Sequence, residues 1–127
     1  MSLPKDLKYA QSHEWVRIDG DIAVIGITDH AQEELGDVAL VMLPEVGKVL
    51  QADEKFGEIE SIKAVSDVYS PVSGVVVEVN EDLLTHPEFV NDEPYDSGWM
   101  IKIKIQNDSE LSALMSAIEY ESFAQES

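Results

Sequence analysis

Along most of this chain, apolar side chains tend to recur at every second position, the spacing that places them on one face of a β-strand. Residues Glu14–Ile18 and Ile22–Ile27 form the first pair of such segments. They are separated by Asp19-Gly20, a dipeptide typical of tight turns between paired strands. The sequence therefore predicts a mainly β fold that opens with a hairpin.

Further strands are predicted by the same spacing and by an enrichment in β-branched residues. They cover Val38–Leu43, Lys48–Leu50, Lys55–Ile62, Val65–Tyr69, Val75–Val79 and Gly98–Ile105. In the last of these, Ile101, Ile103 and Ile105 are expected to face inward, with Lys102 and Lys104 facing outward. Two sheets folded over each other are expected.

Short helices are predicted at two places between the strands. Asp29 and Gln32 are spaced like a capping box at the start of one helix, and Gly36 can end that helix in the left-handed region. Residues Glu81–Leu84 are expected to form a single helical turn.

The tail from Asp108 onward changes to helical spacing. Ser116 and Glu119 are spaced like a capping box. One continuous apolar stripe is expected from Leu111, Leu114, Met115 and Ile118. Two short helices should therefore cover one end of the sheets.

Length and charge exclude several classes of function. The 127 residues are expected to form one domain, residues 1–127. The net charge of −18 disfavours nucleic acid and anionic membranes, which are bound through basic patches, and favours basic protein surfaces. With no cysteine, the chain has no thiol chemistry of its own.

Nothing in the sequence predicts a membrane span. The longest apolar run, Val38–Leu43, is far shorter than the roughly 20 residues that a span requires. Residues 1–10 lack the apolar core of a signal peptide and the arginines of a transit sequence. A cytoplasmic location is expected, or the mitochondrial matrix for a processed eukaryotic form.

Lys63 is the main candidate for a functional residue. It lies between two β-rich segments, with uncharged Ile62 and Ala64 as neighbours, in a chain with 26 acidic residues and only eight Lys and Arg. A cation at such a hairpin tip indicates a lysine presented for covalent modification. An ordinary solvated lysine is the alternative, and Lys102 and Lys104 are weaker rivals because they alternate within a strand.

Ordered blocks of residues along nearly the whole chain resemble the glycine cleavage H-protein family. The blocks are Leu7–Ala10, Ser12–Val16, Gly26–Gln32, Leu35–Asp37, Leu43-Pro44, Gly47, Glu60–Ala64, Ser66-Asp67, Pro71–Gly74, Glu78–Asn80, Pro94-Tyr95 and Gly98–Lys102. The resemblance implies a barrel-sandwich hybrid of two antiparallel sheets, like lipoyl- and biotinyl-carrier domains, with short flanking and C-terminal helices.

The same resemblance implies a non-catalytic carrier with lipoate bound covalently to Lys63. The carrier would take an aminomethyl group from glycine decarboxylase (P protein) to the aminomethyltransferase (T protein), and dihydrolipoamide dehydrogenase (L protein) would reoxidise it. A lipoate ligase or lipoyltransferase would modify it, and a monomer is expected. Ser12, Glu14 and Asp67 match the positions expected to line a cleft for the loaded arm.

Several alternatives stay open at this point. Glu14 is equally consistent with an exposed charge at a strand start, and Asp67 with the cap of a turn. An unmodified interaction module and a relay that donates lipoyl groups to other proteins have the same sequence signature. A biotin carrier is disfavoured because Ile62 and Ala64 stand where methionines normally flank the lysine.

Two further classes are disfavoured by the sequence. An enzyme that uses two carboxylates as acid and base is a weak hypothesis, since such pairs arise by chance in so acidic a chain. His13, His30 and His86 have no recognised metal-ligand spacing, and no metal is expected.

Overall fold

The computed structural model describes residues 3–126, which form strands in two sheets and a few short helices. The strands are β1 (Lys8–Tyr9), β2 (Glu14–Asp19), β3 (Ile22–Ile27), β4 (Val38–Met42), β5 (Val49–Leu50), β6 (Lys55–Ser61), β7 (Val65–Tyr69), β8 (Gly74–Val79) and β9 (Ile101–Ile105). The helices are α1 (Asp29–Leu35), α2 (Asp82–Thr85), α3 (Phe89–Asp92), α4 (Ala117–Glu126) and a 3-10 helix, Asp108–Ala113. Within this part of the chain, no helix combines the length and the apolar character needed to span a membrane.

The strands form one sheet of six strands, in the order β1-β2-β3-β9-β8-β5, and one of three strands, in the order β4-β6-β7. Every pairing between these strands is antiparallel. This arrangement confirms the predicted fold class of two antiparallel sheets with short helices.

The predicted opening hairpin is present. Strands β2 and β3 pair in register up to Asp19 and Ile22, and Gly20 in the turn has φ of 63°. A β-carbon added at Gly26 would lie 2.7 Å from the Trp15 ring, so the ring packs directly on the β3 backbone. The Trp15 indole Nε1–H donates to the Pro94 carbonyl oxygen at 2.8 Å, which satisfies its only polar atom.

The main core lies between the inner faces of the two sheets. Side chains from both sheets are fully buried there, among them Ile25, Ile59, Ile101 and Ile103. Each such side chain contributes roughly 1.5–3 kcal/mol by leaving water. Ile101 and Ile103 face inward as predicted, while Lys102 lies outward and pairs with Glu78 at 3.3 Å.

Helix α1 is capped by a different residue from the one expected. Thr28 is the N-cap, and its Oγ1 accepts a hydrogen bond from the Ala31 N–H at 3.3 Å. Asp29 and Gln32 instead bond through their side chains, at 2.7 Å, so the predicted capping box does not form. The helix ends at Gly36, whose φ is 76°, as expected.

The predicted apolar stripe in the tail is wrong. Between the 3-10 helix and α4 the chain is extended, and Met115 exchanges two backbone hydrogen bonds of 2.8 Å with Tyr9. This break changes the helical phase, so Ile118 is 75% exposed and α4 instead buries Ala117, Tyr120 and Ala124. The residues buried by α4 join a second cluster against β1 and Trp15.

The start of α4 is as predicted. The Ser116 N–H donates to Glu119 Oε1 at 2.9 Å, and the Glu119 N–H donates to Ser116 Oγ at 3.2 Å. This reciprocal capping box holds the first turn of the helix.

Candidate functional site

Lys63 lies at the tip of the hairpin formed by β6 and β7, as expected. Ser61 closes the turn: its Oγ accepts hydrogen bonds from the backbone N–H groups of Lys63 at 3.3 Å and Ala64 at 3.1 Å. The Ser61 N–H donates to the Ala64 carbonyl oxygen at 2.8 Å. A single serine therefore shapes the turn that presents the lysine.

The hairpin tip rests on the loop that follows α1. The side chain of Lys63 is exposed, but its aliphatic part lies over Gly36: a β-carbon built at Gly36 would be 3.1 Å from Lys63 Cε. The Ile62 N–H donates to the Asp37 carbonyl oxygen at 3.2 Å. The lysine is thus presented from a supported turn.

The side chain of Asn91 stabilises the loop after α1 through hydrogen bonds. Its Nδ2 donates to the Gly36 carbonyl oxygen and to Gln32 Oε1, each at 2.9 Å, and its Oδ1 accepts from the Val38 N–H at 2.9 Å. Sequence reasoning missed Asn91, because a lone asparagine beside acidic residues carries no periodic or motif signal.

A cavity of about 290 Å³, which we call the cleft, opens beside the hairpin. Its apolar lining includes Ile27, Leu35 and Ile59. The three residues predicted to line a cleft, Ser12, Glu14 and Asp67, all lie on its wall. Residues that are 55 positions apart in the sequence are therefore brought to one site.

Glu14 is buried in the wall of the cleft, with 1% of its surface exposed, so the alternative of an exposed charge is wrong. One carboxyl oxygen accepts from the Tyr69 N–H at 3.1 Å, and the other accepts from the Ser12 hydroxyl. Burial raises the pKa of Glu14 to about 7, against the opposing effect of the hydrogen bonds from Ser12 and Tyr69. The carboxyl group is therefore poised to change charge near neutral pH.

Asp67 lies within β7 and does not cap the turn. It is opposite Glu58 in the ladder, and Lys55 Nζ contacts both carboxylates, at 3.2 Å for Asp67 and 2.6 Å for Glu58. The Asp67 side chain is 43% exposed. It is accordingly a solvated acidic group at the cleft, in contrast to the buried Glu14.

Glu34 is a third carboxylate of the cleft, and sequence reasoning missed it. Its Oε1 lies 3.1 Å from His30 Nε2, one helical turn away, although the two groups are not aligned as a hydrogen bond. The spacing of four residues between His30 and Glu34, which puts both on one face of a helix, is the sequence signal that could have revealed this pair.

Two of the histidines also lie near the cleft. The rings of His13 and His30 are 4.9 Å apart, while His86 stacks on Phe89 elsewhere. Across residues 3–126, no group of three His, Asp or Glu side chains is arranged to hold a metal ion.

The two rival lysines are placed differently from Lys63. Both lie in the middle of β9, and Lys102 also stands over the Trp99 ring at 4.9 Å from its centre. Neither lysine lies in a turn at the tip of a hairpin, as Lys63 does.

Comparison with known proteins supports one family. The family model described as "Glycine cleavage H-protein" matches residues 7–127. The glycine cleavage system H protein of Bacillus subtilis is 55% identical over 126 residues, covering 99% of each chain. That of Carboxydothermus hydrogenoformans is 52% identical over 124 residues, covering 98% of this chain and 95% of the relative.

A solved structure agrees with the fold. The crystal structure of a glycine cleavage system H protein from Mycobacterium marinum superposes with a TM-score of 0.87 at 39% identity, covering 94% of this chain and 97% of the other. Sequence and fold together show that the chain belongs to the glycine cleavage H-protein family, the non-catalytic lipoyl carriers of the glycine cleavage system.

Proposed function

We propose that Lys63 is the lipoyl attachment site and that the cleft beside it receives the loaded arm. The observation that carries this proposal is the position of Lys63, exposed at the tip of a hairpin whose β7 strand forms one wall of a cavity with a buried carboxyl group. The proposed attachment site and the cleft proposed to receive the arm are thus adjacent in one fold.

The residues around Lys63 suit acylation by a separate enzyme. An amine must lose its proton before it attacks an activated acyl group, and the modifying enzyme supplies the base. The neighbours Ile62 and Ala64 are exposed and uncharged, so nothing in the turn competes for the amine. A lipoate ligase or a lipoyltransferase is the expected partner for this step.

The cleft fits the attached group. A lipoyl group bound at Lys63 would supply a disulfide that can open to carry the aminomethyl group of glycine on one sulfur, while the other sulfur becomes a thiol. The apolar lining would keep water from the bond that joins the aminomethyl group to sulfur, and the Glu14 carboxyl in the cleft wall would supply a counter-charge to a cationic amine. Ser12 and Asp67 add a hydroxyl and a carboxylate at the same wall.

Glu14 would respond to the arriving amine. A positive charge beside a carboxyl group lowers its pKa. Glu14, with a pKa near 7 when the cleft is empty, would release its proton and pair with the ammonium group. Binding of the loaded arm is therefore expected to release a fraction of a proton near neutral pH.

The expected partners are the P, T and L proteins of the glycine cleavage system. The net charge of −18 favours fast and transient docking on basic surfaces, which suits a shuttle. A monomeric single domain and a cytoplasmic location stay predictions.

Intact mass spectrometry tests the site. The protein is incubated with a lipoate ligase, ATP and lipoate, in parallel with Lys63→Arg and with Lys104→Arg as a matched control. One lipoyl addition is expected in the wild type and in Lys104→Arg, and none in Lys63→Arg. An addition that persists in Lys63→Arg would place the site elsewhere, and a folded wild type that stays unmodified would favour the interaction module.

A further inference from the structure

His13 has an unusual backbone conformation between two residues of the cleft. Its φ is 75°, in the left-handed region, and its neighbours in the chain are Ser12 and Glu14. A residue with a β-carbon is rarely found there, and the conformation persists only where surrounding contacts enforce it. The turn that directs Ser12 and Glu14 toward the cleft therefore needs a support.

Backbone hydrogen bonds supply part of this support. The His13 N–H donates to the Ala10 carbonyl oxygen, and the Thr28 N–H donates to the His13 carbonyl oxygen, each at 3.0 Å. These bonds fix the path of the chain but leave the imidazole free to rotate.

The remaining support comes from the far end of the chain. The hydroxyl group of Tyr120, in α4, lies 2.7 Å from His13 Nδ1 and 2.7 Å from Thr28 Oγ1. Tyr120 and His13 are 107 residues apart in sequence. The C-terminal helix thus reaches the turn that carries the cleft residues.

The three side chains form a consistent chain of hydrogen bonds. The Ala31 N–H donates to Thr28 Oγ1, and we assign the Thr28 hydroxyl as donor to Tyr120 and the Tyr120 hydroxyl as donor to His13 Nδ1. This direction requires a neutral imidazole. Burial and the adjacent His30 lower the pKa of His13, and Glu34 opposes them. The lowered pKa favours the neutral imidazole.

The position of the Tyr120 side chain is fixed by its surroundings. It is fully buried, and its ring stacks on Tyr9 with centroids 4.9 Å apart. Its helix begins at the capping box of Ser116 and Glu119. The position of the hydroxyl is therefore set by packing that is independent of the cleft.

We propose that Tyr120 is a positioning residue for the cleft: its hydroxyl locks His13 in the left-handed conformation and so keeps Ser12 and Glu14 directed at the arm. The proposal rests on the function proposed above for the cleft. Tyr120 does not line the cleft itself and acts only through His13 and Thr28.

A matched pair of variants tests it on the unmodified protein. Tyr120→Phe removes the hydroxyl and keeps the ring. Tyr9→Phe removes the other hydroxyl of the same stack, which donates to the Pro4 carbonyl oxygen at 2.6 Å and does not contact the cleft. Thermal melts establish that both variants fold.

The first readout is the titration of Glu14 and His13 by NMR. In Tyr120→Phe the pKa of Glu14 should fall toward its ordinary value, because a loosened turn admits water and burial is the main cause of the shift. Tyr9→Phe should leave it unchanged. Equal titration curves in the two variants would overturn the proposal.

The second readout is the loss of the aminomethyl group from the loaded, lipoylated protein, followed by intact mass. Tyr120→Phe should lose it roughly threefold to tenfold faster than Tyr9→Phe, as expected if the hydrogen bond to His13, one of the two that the substitution removes, is the one that holds the turn. Equal rates would overturn the role of Tyr120. If the wild type itself retains the group no longer than loaded free lipoamide, the proposed function of the cleft is wrong.

A double-mutant cycle distinguishes an effect of Tyr120 through His13 from a general destabilisation of the protein. His13→Gly keeps a residue that tolerates positive φ but removes the imidazole. If the lock acts through His13, adding Tyr120→Phe to His13→Gly should speed the loss of the group little further. Fully additive effects would contradict the proposal.

Discussion

The Ile62 N–H donates a hydrogen bond of 3.2 Å to the Asp37 carbonyl oxygen, which ties the tip of the β6–β7 hairpin to the loop after α1. Helix α1 also contributes Ala31, Glu34 and Leu35 to the cleft. The proposed attachment site and the proposed shelter therefore share one support, and a change in that loop should affect both.

Asn91→Leu should loosen this support. The substitution removes three hydrogen bonds and leaves the Val38 N–H and the Gly36 carbonyl unpaired, so we expect a loss of about 2–3 kcal/mol in the free energy of unfolding. Hydrogen exchange at the Ile62 N–H should become faster than in the wild type by more than the loss of global stability accounts for. Asn107→Ala, which removes an exposed cap of the 3-10 helix, is the control and should leave Ile62 unchanged.

Gly36→Ala should slow lipoylation of Lys63. Its φ is 76° and its ψ −159°, a region essentially restricted to glycine, and the new methyl group would also meet Lys63 Cε at 3.1 Å. Gly47→Ala is the control, because Gly47 also has positive φ but has nothing within 4 Å of an added β-carbon. Equal ligase rates in two folded variants would show that the contact with Lys63 has no role in presentation.

Glu14→Gln should change how stability depends on pH. The pKa of Glu14 rises from 4.5 to about 7 on folding, so its contribution to stability is fully present below about pH 4.5 and is lost as the pH rises through 7. Relative to Glu14→Gln, the wild type should lose on the order of 3 kcal/mol between about pH 5 and about pH 8. Urea unfolding at both pH values measures this, and parallel pH profiles for the two proteins would exclude a raised pKa.

Higher ionic strength should weaken transfer of the aminomethyl group to at least one partner enzyme. The chain carries a net charge of −18, and salt screens exposed charges beyond about 10 Å at 0.1 M. Transfer rates from the loaded protein to each partner enzyme, measured at low and high salt, test this. Transfer from loaded free lipoamide, which lacks the acidic protein surface, is the control. Rates that do not change with salt would remove electrostatic steering as the basis of docking.

Much of the fold was predictable because its signals are local. Alternating apolar residues, the Asp19-Gly20 turn and the Ser116–Glu119 capping box each depend on residues a few positions apart. The incorrect predictions lie where tertiary contacts override the local sequence pattern. The pairing of Tyr9 with Met115 interrupts the helical tail and exposes Ile118, and the hydroxyl of Thr28 displaces Asp29 as the cap of α1.

The site was predictable to a lesser degree. The position of Lys63 at a hairpin tip was predicted from its turn, and that of Ser12, Glu14 and Asp67 at a cleft from the family resemblance. All four lie where predicted, and their proposed roles stay predictions. The supporting residues Asn91, Glu34 and Tyr120 were not found. Their roles depend on partners elsewhere in space or on which helix face meets the cleft, and a single sequence records neither.

By itself, therefore, the sequence determined most of the strands, the turn that presents Lys63 and the acidic surface, since each follows from the chemistry of neighbouring residues and from the summed charge. It did not show strand β1 or that β9 begins only at Ile101. Only the tertiary structure decided that Glu14 is buried and titrates near 7, and that Tyr120 reaches His13 across 107 residues. Burial and long-range hydrogen bonds exist only once the two sheets and α4 have packed together. The properties that distinguish a shelter for a labile group from an ordinary surface groove arise at that level.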